Sequence, residues 1–302
     1  MRKIQQVFTL CGLNFRRWHK NPRIWVTFCL AFILCFLLTE KAVSFAAQQE
    51  TSMQLLEPFV WSFGDSYSIL LSSLLLVLIF SDMPFLNASS PLYLYRTSRS
   101  VWICGQLLYI GLATLLYLFF TLFSTALLCM RNGFVGNVWS ETAAILGYSG
   151  MGQKVALPAL IKTLELSTPY QSSIAIFILM LFYTLFLMTF MMYLHIRKGH
   201  TWAILGTAGV SLFGLLLNRQ VFMTIFHMPD SMMYLANVIT GWVSPLNQAT
   251  YHMHNFGYDL LPTLWQTYLF FGALIGLFLV LSFRAMSRYN FSFAGTEKGI
   301  DQ

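Results

Sequence analysis

The sequence predicts an all-α membrane protein with six transmembrane helices. Hydrophobic residues make up 57% of the 302 residues and charged residues only 10%, against about 45–50% and about 25% in soluble domains. A hydrocarbon core about 30 Å thick needs about 20 mostly apolar helical residues, and six stretches meet that length or approach it. These predicted spans are 24–47, 61–81, 101–130, 171–196, 201–217 and 264–285.

The distribution of lysine and arginine predicts the orientation. With the N-terminus in the cytoplasm, thirteen of the 18 basic residues fall on cytoplasmic segments, and most acidic residues fall outside. This bias follows the positive-inside rule. We therefore expect one transmembrane domain of residues 1–302 in the cytoplasmic membrane, multi-pass, with both termini cytoplasmic. The net charge of +7 then suits lipid headgroups, and no nucleic-acid partner is expected.

Residues 1–22 combine an apolar stripe with basic side chains. The stripe consists of Ile4, Phe8, Cys11, Phe15 and Trp18, spaced three or four apart, while polar residues including Asn14 mostly take the other sides. This pattern predicts an amphipathic helix in the membrane interface, with basic side chains toward lipid phosphates. The residues assigned to that contact are Phe8, Phe15, Arg16, Arg17 and Trp18. The alternative is a basic segment that only sets topology.

Two long segments lie on the predicted outer side, at 131–170 and 218–263. The second is rich in aromatic and apolar residues but is interrupted by Gly241, Pro245 and Pro262. Loops longer than about 12–15 residues usually carry structure or function. We expect short re-entrant helices that dip into the outer leaflet before the last span.

The fifth span carries small side chains at helical spacing. Ala203, Thr207 and Ser211 recur every four residues, and small residues allow helices to approach closely. One interpretation is close packing within the bundle. The other is a seam with a second copy of the chain.

No catalytic constellation is evident. The sequence lacks GxxxxGK[ST], HExxH and GxSxG, so we expect no catalytic residues and no enzyme activity from this chain alone. His252 and His254, with Asp259 nearby, could face one side of an extended strand, but no third ligand is evident. Polar packing is therefore the preferred interpretation, and no metal site is assigned.

Residues 82–100 are too polar to cross a bilayer and too apolar for a simple loop. Pro84 and Pro91 restrict the backbone. Large apolar and aromatic side chains, followed by arginines, suit a cleft on a partner protein. The alternative is a segment that merely lies on the membrane surface.

The same segment carries the most specific sequence resemblance. The run R-x-x-R-x-x-W-x-x-G-Q, formed by Arg96, Arg99, Trp102, Gly105 and Gln106, resembles the start of the third span in permease subunits of bacterial ABC-2-type exporters. The stretch SPLNQATY at 244–251 is a second, weaker match. The order of elements resembles that family over almost the whole chain.

The resemblance implies a function and its partners. Such permeases hold no ATPase of their own; they pair with a second permease copy or paralogue and bind separate ABC ATPase subunits, which carry the ATP and magnesium. This chain would then export an amphipathic or peptide-like substrate from the cytoplasm, and residues 82–100 would couple it to the ATPase. The assigned ATPase contacts are Pro84, Phe85, Leu92, Tyr93, Tyr95, Arg96 and Arg99.

Two other function classes remain as alternatives. One is a non-transport membrane protein, such as an immunity or sensor-accessory subunit, that binds a peptide at its outer segments. The other is an intramembrane enzyme, which the lack of a catalytic constellation disfavours.

Overall fold

The computed structural model describes residues 2–84, 97–154, 157 and 160–289. Nearly all of its regular structure is helical. The α-helices are α1 (Arg2–Arg16), α2 (Pro22–Gln48), α3 (Glu57–Phe63), α4 (Ser66–Phe80), α5 (Arg99–Cys129), α6 (Glu141–Tyr148), α7 (Met151–Lys154), α8 (Ile161–Leu166), α9 (Pro169–Lys198), α10 (His200–Leu216), α11 (Arg219–Ile225), α12 (Met233–Val243), α13 (Pro245–Ala249) and α14 (Leu264–Ser287). Two short strands, β1 (Met53–Gln54) and β2 (Gly133–Phe134), pair in parallel, with Met53 opposite Gly133. Short 3₁₀ turns lie at Trp18–Lys20, Asp230–Met232 and Tyr251–Met253.

Four of the helices are long and apolar enough to cross a membrane, namely α2, α5, α9 and α14. Their ends lie within about two residues of the predicted ones. Two bent pairs, α3 with α4 and α10 with α11, bring the number to six if each pair is one span. The prediction of an all-α membrane protein is confirmed, with four to six candidate spans.

The second predicted span is not one straight helix. α3 ends at Phe63, α4 begins at Ser66, and their axes differ by 87°. Asp65 starts α4 because its carboxylate accepts a hydrogen bond from the Tyr67 amide at 3.1 Å. Gly64 fits the break, since a Cβ atom there would lie 2.6 Å from His252 Nε2. With 15 residues, α4 is only about 22 Å long.

The fifth predicted span also ends in a bend. α10 stops at Leu216, and α11 leaves at 74° to it. Asn218 lies between them and starts α11, because its side chain accepts a hydrogen bond from the Val221 amide at 3.1 Å. The segment 218–263 contains the short helices α11, α12 and α13. Its depth in a bilayer stays a prediction.

Residues at the starts of α9 and α14 explain why these long helices begin where they do. Thr168 and Thr263 each accept a hydrogen bond from the third amide of their helix, and Gln171 and Gln266 bond back to the cap residues. This reciprocal pattern satisfies amide groups that a helix start leaves unpaired. Inside the bundle, α9 packs against α14, α10, α5 and α3 and is the most buried of the four long helices.

The small residues of α10 face the interior. Ala203, Thr207 and Ser211 are each 0% exposed within the single chain, and α10 packs on α9, α4 and α13. Side chains that are fully covered by their own chain have no surface left for a second copy. The interpretation of a dimer seam is therefore corrected to close packing within the bundle.

Charged residues divide between the two ends of the bundle. We call the end that carries α1 and the termini of α5, α9 and α14 at Arg99, Lys198 and Ser287 the basic end, and the opposite one the far end. Among the carboxylate residues of the described ranges, Asp82 alone lies at the basic end. The charge pattern that predicted the orientation therefore corresponds to the two opposite ends of the folded chain.

We expect Ser211→Leu to destabilise the protein and Gly209→Leu, on the same helix, to leave it stable. A larger side chain in a filled interior costs about 1–3 kcal/mol, whereas nothing lies within 4 Å of a Cβ atom added at Gly209. Thermal unfolding in detergent is the measurement. A changed oligomeric state of Ser211→Leu with unaltered melting temperature would restore the dimer seam.

Candidate functional site

The N-terminal helix α1 docks on the first turns of α5. Leu10, Cys11 and Asn14 are buried in this contact. A Cβ atom at position 105 would lie 2.8 Å from Leu10 Cβ, so Gly105 allows the close approach of the two helices. Two residues of the sequence motif, Gly105 and the neighbouring Gln106, thus hold another part of the same chain.

A buried side-chain hydrogen bond fixes this contact. Asn14 Nδ2 donates to Gln106 Oε1 at 2.9 Å, and the two residues are 5% and 2% exposed. A buried amide without a partner is costly. The pair therefore fixes the orientation of α1 about its axis and its position along α5.

Aromatic side chains extend the contact toward the start of α2. Trp18 Nε1 donates to the Tyr109 hydroxyl at 2.7 Å. The Phe15 and Phe80 rings lie 5.0 and 5.9 Å from the Tyr109 ring, both edge to face. This geometry is favourable for aromatic pairs, and it joins α1, α4 and α5.

Arg99 connects the start of α5 to the end of α14. Its guanidinium donates to the backbone carbonyls of Met286, at 3.1 Å, and Ser287. The last carbonyls of a helix lack partners within it and carry partial negative charge, so a cation there is stabilising.

Arg23 connects the start of α2 to the end of α4. It donates to Asp82 Oδ1 at 2.7 Å and to Ser81 Oγ at 3.1 Å. Both side chains of the ion pair are about half exposed, so its contribution to stability is small. It nevertheless fixes Asp82, which directly precedes Met83 and Pro84. We call the set Asn14, Arg23, Asp82, Arg99 and Gln106 the basic-end junction.

A cavity of about 760 Å³ opens beside the junction. Its walls come from α1, the start of α2, the end of α4, α5 and the turn between α9 and α10. Arg17, Lys20 and Arg23 supply positive charge and Asp82 negative charge, and His195 and His200 also belong to the lining.

The residues that were predicted to contact the ATPase fall into different parts of the structure. Phe85, Leu92, Tyr93, Tyr95 and Arg96 lie outside the described residues. Pro84 is buried. Arg99 was predicted to pair with a partner's carboxylate or a lipid phosphate, but its guanidinium binds carbonyls of its own chain.

The interfacial-helix residues divide into two groups. Phe8 is exposed at 61% and Arg16 is exposed, as a lipid-facing position requires. Phe15 and Trp18 instead pack against the core. Asn14, which the stripe placed on an outer side, is buried. Because α1 rests on α5, its inward face combines Leu10 and Asn14 with Cys11 and Phe15 of the predicted stripe, whereas Phe8 points outward.

A second polar network, which the sequence pattern did not reveal, lies at the far end around the buried Glu57. Its carboxylate accepts hydrogen bonds from the Ser140 amide at 2.7 Å and the Ser140 hydroxyl at 2.6 Å. Gln54 accepts from the Glu57 amide at 3.0 Å and donates to the Gly136 carbonyl at 3.1 Å. These bonds join the start of α3 to the loop before α6. The only sequence signal was an acid next to Pro58 at a helix start.

The histidines of the far end take separate partners. His254 is fully buried; its Nδ1 lies 3.0 Å from the Thr250 carbonyl oxygen and its Nε2 lies 3.0 Å from Thr267 Oγ1. His252 Nδ1 lies 3.3 Å from Thr163 Oγ1. Burial, together with the nearby Lys162 ammonium, lowers the pKa of both histidines to about 4.

Lys162 and Asp259 complete this region. Lys162 forms an ion pair with Asp259 and donates to the His254 carbonyl at 2.8 Å. The pair ties α8 to the loop before α14. Within the described ranges, no group of three or more histidine, cysteine, aspartate or glutamate residues could hold a metal ion.

No family model, curated protein or solved structure matches the chain.

We expect Asn14→Leu to loosen α1 from α5. The change leaves the buried Gln106 amide without its partner, at a cost of about 1–3 kcal/mol. Amide hydrogen exchange of residues 2–16 measures the loss as reduced protection. The double variant Asn14→Leu/Gln106→Leu should recover part of it, and Gln5→Leu, at an exposed position, is the control. Unchanged protection in Asn14→Leu would contradict the role of the pair.

Stability should fall as the pH drops from about 6.5 to 4. An unfolded histidine has a pKa near 6.5, whereas that of folded His254 is about 4, so the unfolded chain binds the proton in this range. The loss from His254 at pH 5 is on the order of 2 kcal/mol. Melting temperatures at pH 7 and pH 5 should differ less in His254→Gln than in the wild type. His227→Gln, at an exposed position, should keep the wild-type difference. An equal difference in the wild type and both variants would show that His254 does not cause the loss of stability.

Proposed function

We propose that the chain is the transmembrane subunit of an ATP-driven exporter of the ABC-2 type, which moves an amphipathic or peptide-like substrate out of the cytoplasm. The basic-end junction is the observation that carries the proposal. Asp82, the first residue of the coupling segment, binds Arg23 of α2. Arg99, near the end of the segment, binds the end of α14, and Gln106, just after it, binds α1. A force on residues 82–100 therefore acts on several helices together.

The contacts of the basic-end junction divide the residues of the coupling segment into two roles. We assign the ATPase contact to Phe85, Leu92, Tyr93, Tyr95 and Arg96. Pro84 and Arg99 position that segment, because the first is buried and the second is bound to α14. Separate ABC subunits supply ATP and magnesium, and their closure on ATP moves the segment against the bundle.

The proposed topology has six spans, with each bent pair counted as one. The basic end lies in the cytoplasm, in accord with the positive-inside rule, and both termini lie there. The segment 218–263 then covers the outer leaflet. Several large apolar side chains in it are exposed, as a lipid-dipping segment requires: Ile225, Phe226, Met232, Met233, Tyr234 and Leu235.

A second copy or a paralogue of the chain completes the proposed transporter. The small-residue stripe of α10 is buried and does not form that contact. Exposed side chains on the same helix, including Trp202, Leu205 and Phe213, face lipid or the second subunit in this arrangement.

One observation favours the alternative, a non-transport protein that binds a peptide. A cavity of about 680 Å³ at the far end lies between α2 and the end of α5. Glu40, Glu50 and Arg131 provide charges there, and Phe36 and Val43 provide apolar surface, a mixture that suits an amphipathic peptide.

The decisive experiment is co-purification with an ABC ATPase encoded beside this chain. We expect a stable complex whose ATP hydrolysis depends on the membrane subunit. Tyr93→Ala/Tyr95→Ala/Arg96→Ala should abolish complex formation, because it removes the contact. Arg99→Ala should keep the complex but lower hydrolysis several-fold, because the segment is no longer tied to α14.

The control is Arg16→Ala, an exposed arginine outside the junction, which should leave complex and hydrolysis unchanged. Unaltered complex formation and hydrolysis in the triple variant would refute the assigned segment. Peptide binding without any associated ATPase would favour the alternative.

A further inference from the structure

A basic cavity lies at the level where lipid headgroups are expected. We propose that the 760 Å³ cavity beside the junction binds the phosphate of an anionic lipid headgroup. The proposal rests on the basic end facing a membrane surface and not on the exporter assignment.

The charge of the cavity favours an anion. Arg17, Lys20 and Arg23 line it, and Asp82 is the one carboxylate among the described lining residues. With the histidines neutral, the net charge is +2.

Two histidines and a helix start belong to the same cavity. His195 and His200 are among the lining residues, with ring centroids 5.6 Å apart. His195 Nδ1 is buried and has no hydrogen-bond partner in the described part of the chain. α10 begins at His200, after Gly199, which has no side-chain cap. The first amide groups of this 17-residue helix therefore add donors and partial positive charge near these histidines.

Two exposed tryptophans place the cavity at headgroup level. Trp25 follows Arg23 by two residues and is 64% exposed; Trp202 follows His200 by two residues and is 65% exposed. Tryptophans concentrate at the boundary between acyl chains and headgroups. The volume also exceeds that of a single water or small ion many times over and suits a glycerophosphate group. A lipid is therefore favoured over a soluble phosphate.

The test compares two double variants that remove equal charge at the same end. Arg17→Gln/Lys20→Gln changes the cavity, while Arg197→Gln/Lys198→Gln changes exposed residues outside its lining. The purified full chain, without any ATPase, is titrated with phosphatidylglycerol in detergent, and native mass spectrometry counts the bound lipids. Zwitterionic phosphatidylcholine and soluble glycerol 3-phosphate are the comparison ligands.

We expect the wild type to retain phosphatidylglycerol in preference to phosphatidylcholine. Affinity should fall about fivefold for each cation lost near a membrane surface, hence on the order of 25-fold in the cavity variant, and less than about twofold in the surface variant. Equal losses in both would show general attraction to a basic face and would overturn the proposal. Binding of glycerol 3-phosphate as tight as that of the lipid would overturn the choice of a lipid.

A third variant, for which the affinity should rise, distinguishes an electrostatic effect from a loss of folding. Asp82→Asn removes the one carboxylate of the described lining and should raise the affinity for phosphatidylglycerol. Unchanged or weaker binding in Asp82→Asn would contradict the electrostatic origin of the site. Because no ATPase is present, lipid binding and the exporter assignment succeed or fail separately.

Discussion

The hydrogen bond between Asn14 and Gln106 sets the position of α1, and through it much of the basic end. Both amides are buried, and neither tolerates the loss of its partner without a desolvation cost. Once α1 is docked, Trp18 reaches Tyr109 and the chain turns into α2 beside the end of α4. The cavity depends on this arrangement, because Asn14, Trp18 and Tyr109 belong to its lining.

The length of α5 makes this arrangement possible. Its 31 residues span about 46 Å, well beyond a hydrocarbon core of about 30 Å. The excess at the basic end provides turns on which α1 and the end of α14 rest. By contrast, α4 is too short to cross alone, and α3 turns away from it.

The sequence was sufficient for the parts that depend on local chemistry. Apolar length predicted α2, α5, α9 and α14, because each long run has a clear start, such as Pro22 or Thr263 with Gln266. Apolar length could not show the bend at Gly64, since side chains on both sides of it are equally apolar. Asp65 starts α4, but a residue that starts a helix does not show the direction of the chain that precedes it.

The parts that depend on distant contacts were not predictable in the same way. Asn14 looks like an outward polar residue until Gln106, 92 positions away, is placed beside it. Lys162 and Asp259 are 97 positions apart, and neither has a local pattern that points to the other. For the small residues of α10, the sequence left two interpretations open, because spacing shows a close contact but not which surface provides it.

The separation of Asn14 and Gln106 along the chain also has a consequence for biogenesis. At about 5–20 residues per second, Gln106 is synthesised roughly 5–20 s after Asn14. During that interval α1 has no docking site, and its exposed Ile4 and Phe8 allow it to wait on the membrane surface. Only insertion of the third long apolar segment supplies the missing partner. The amide pair can therefore form only after α5 has been synthesised, and until then Asn14 lacks the partner that it has in the folded chain.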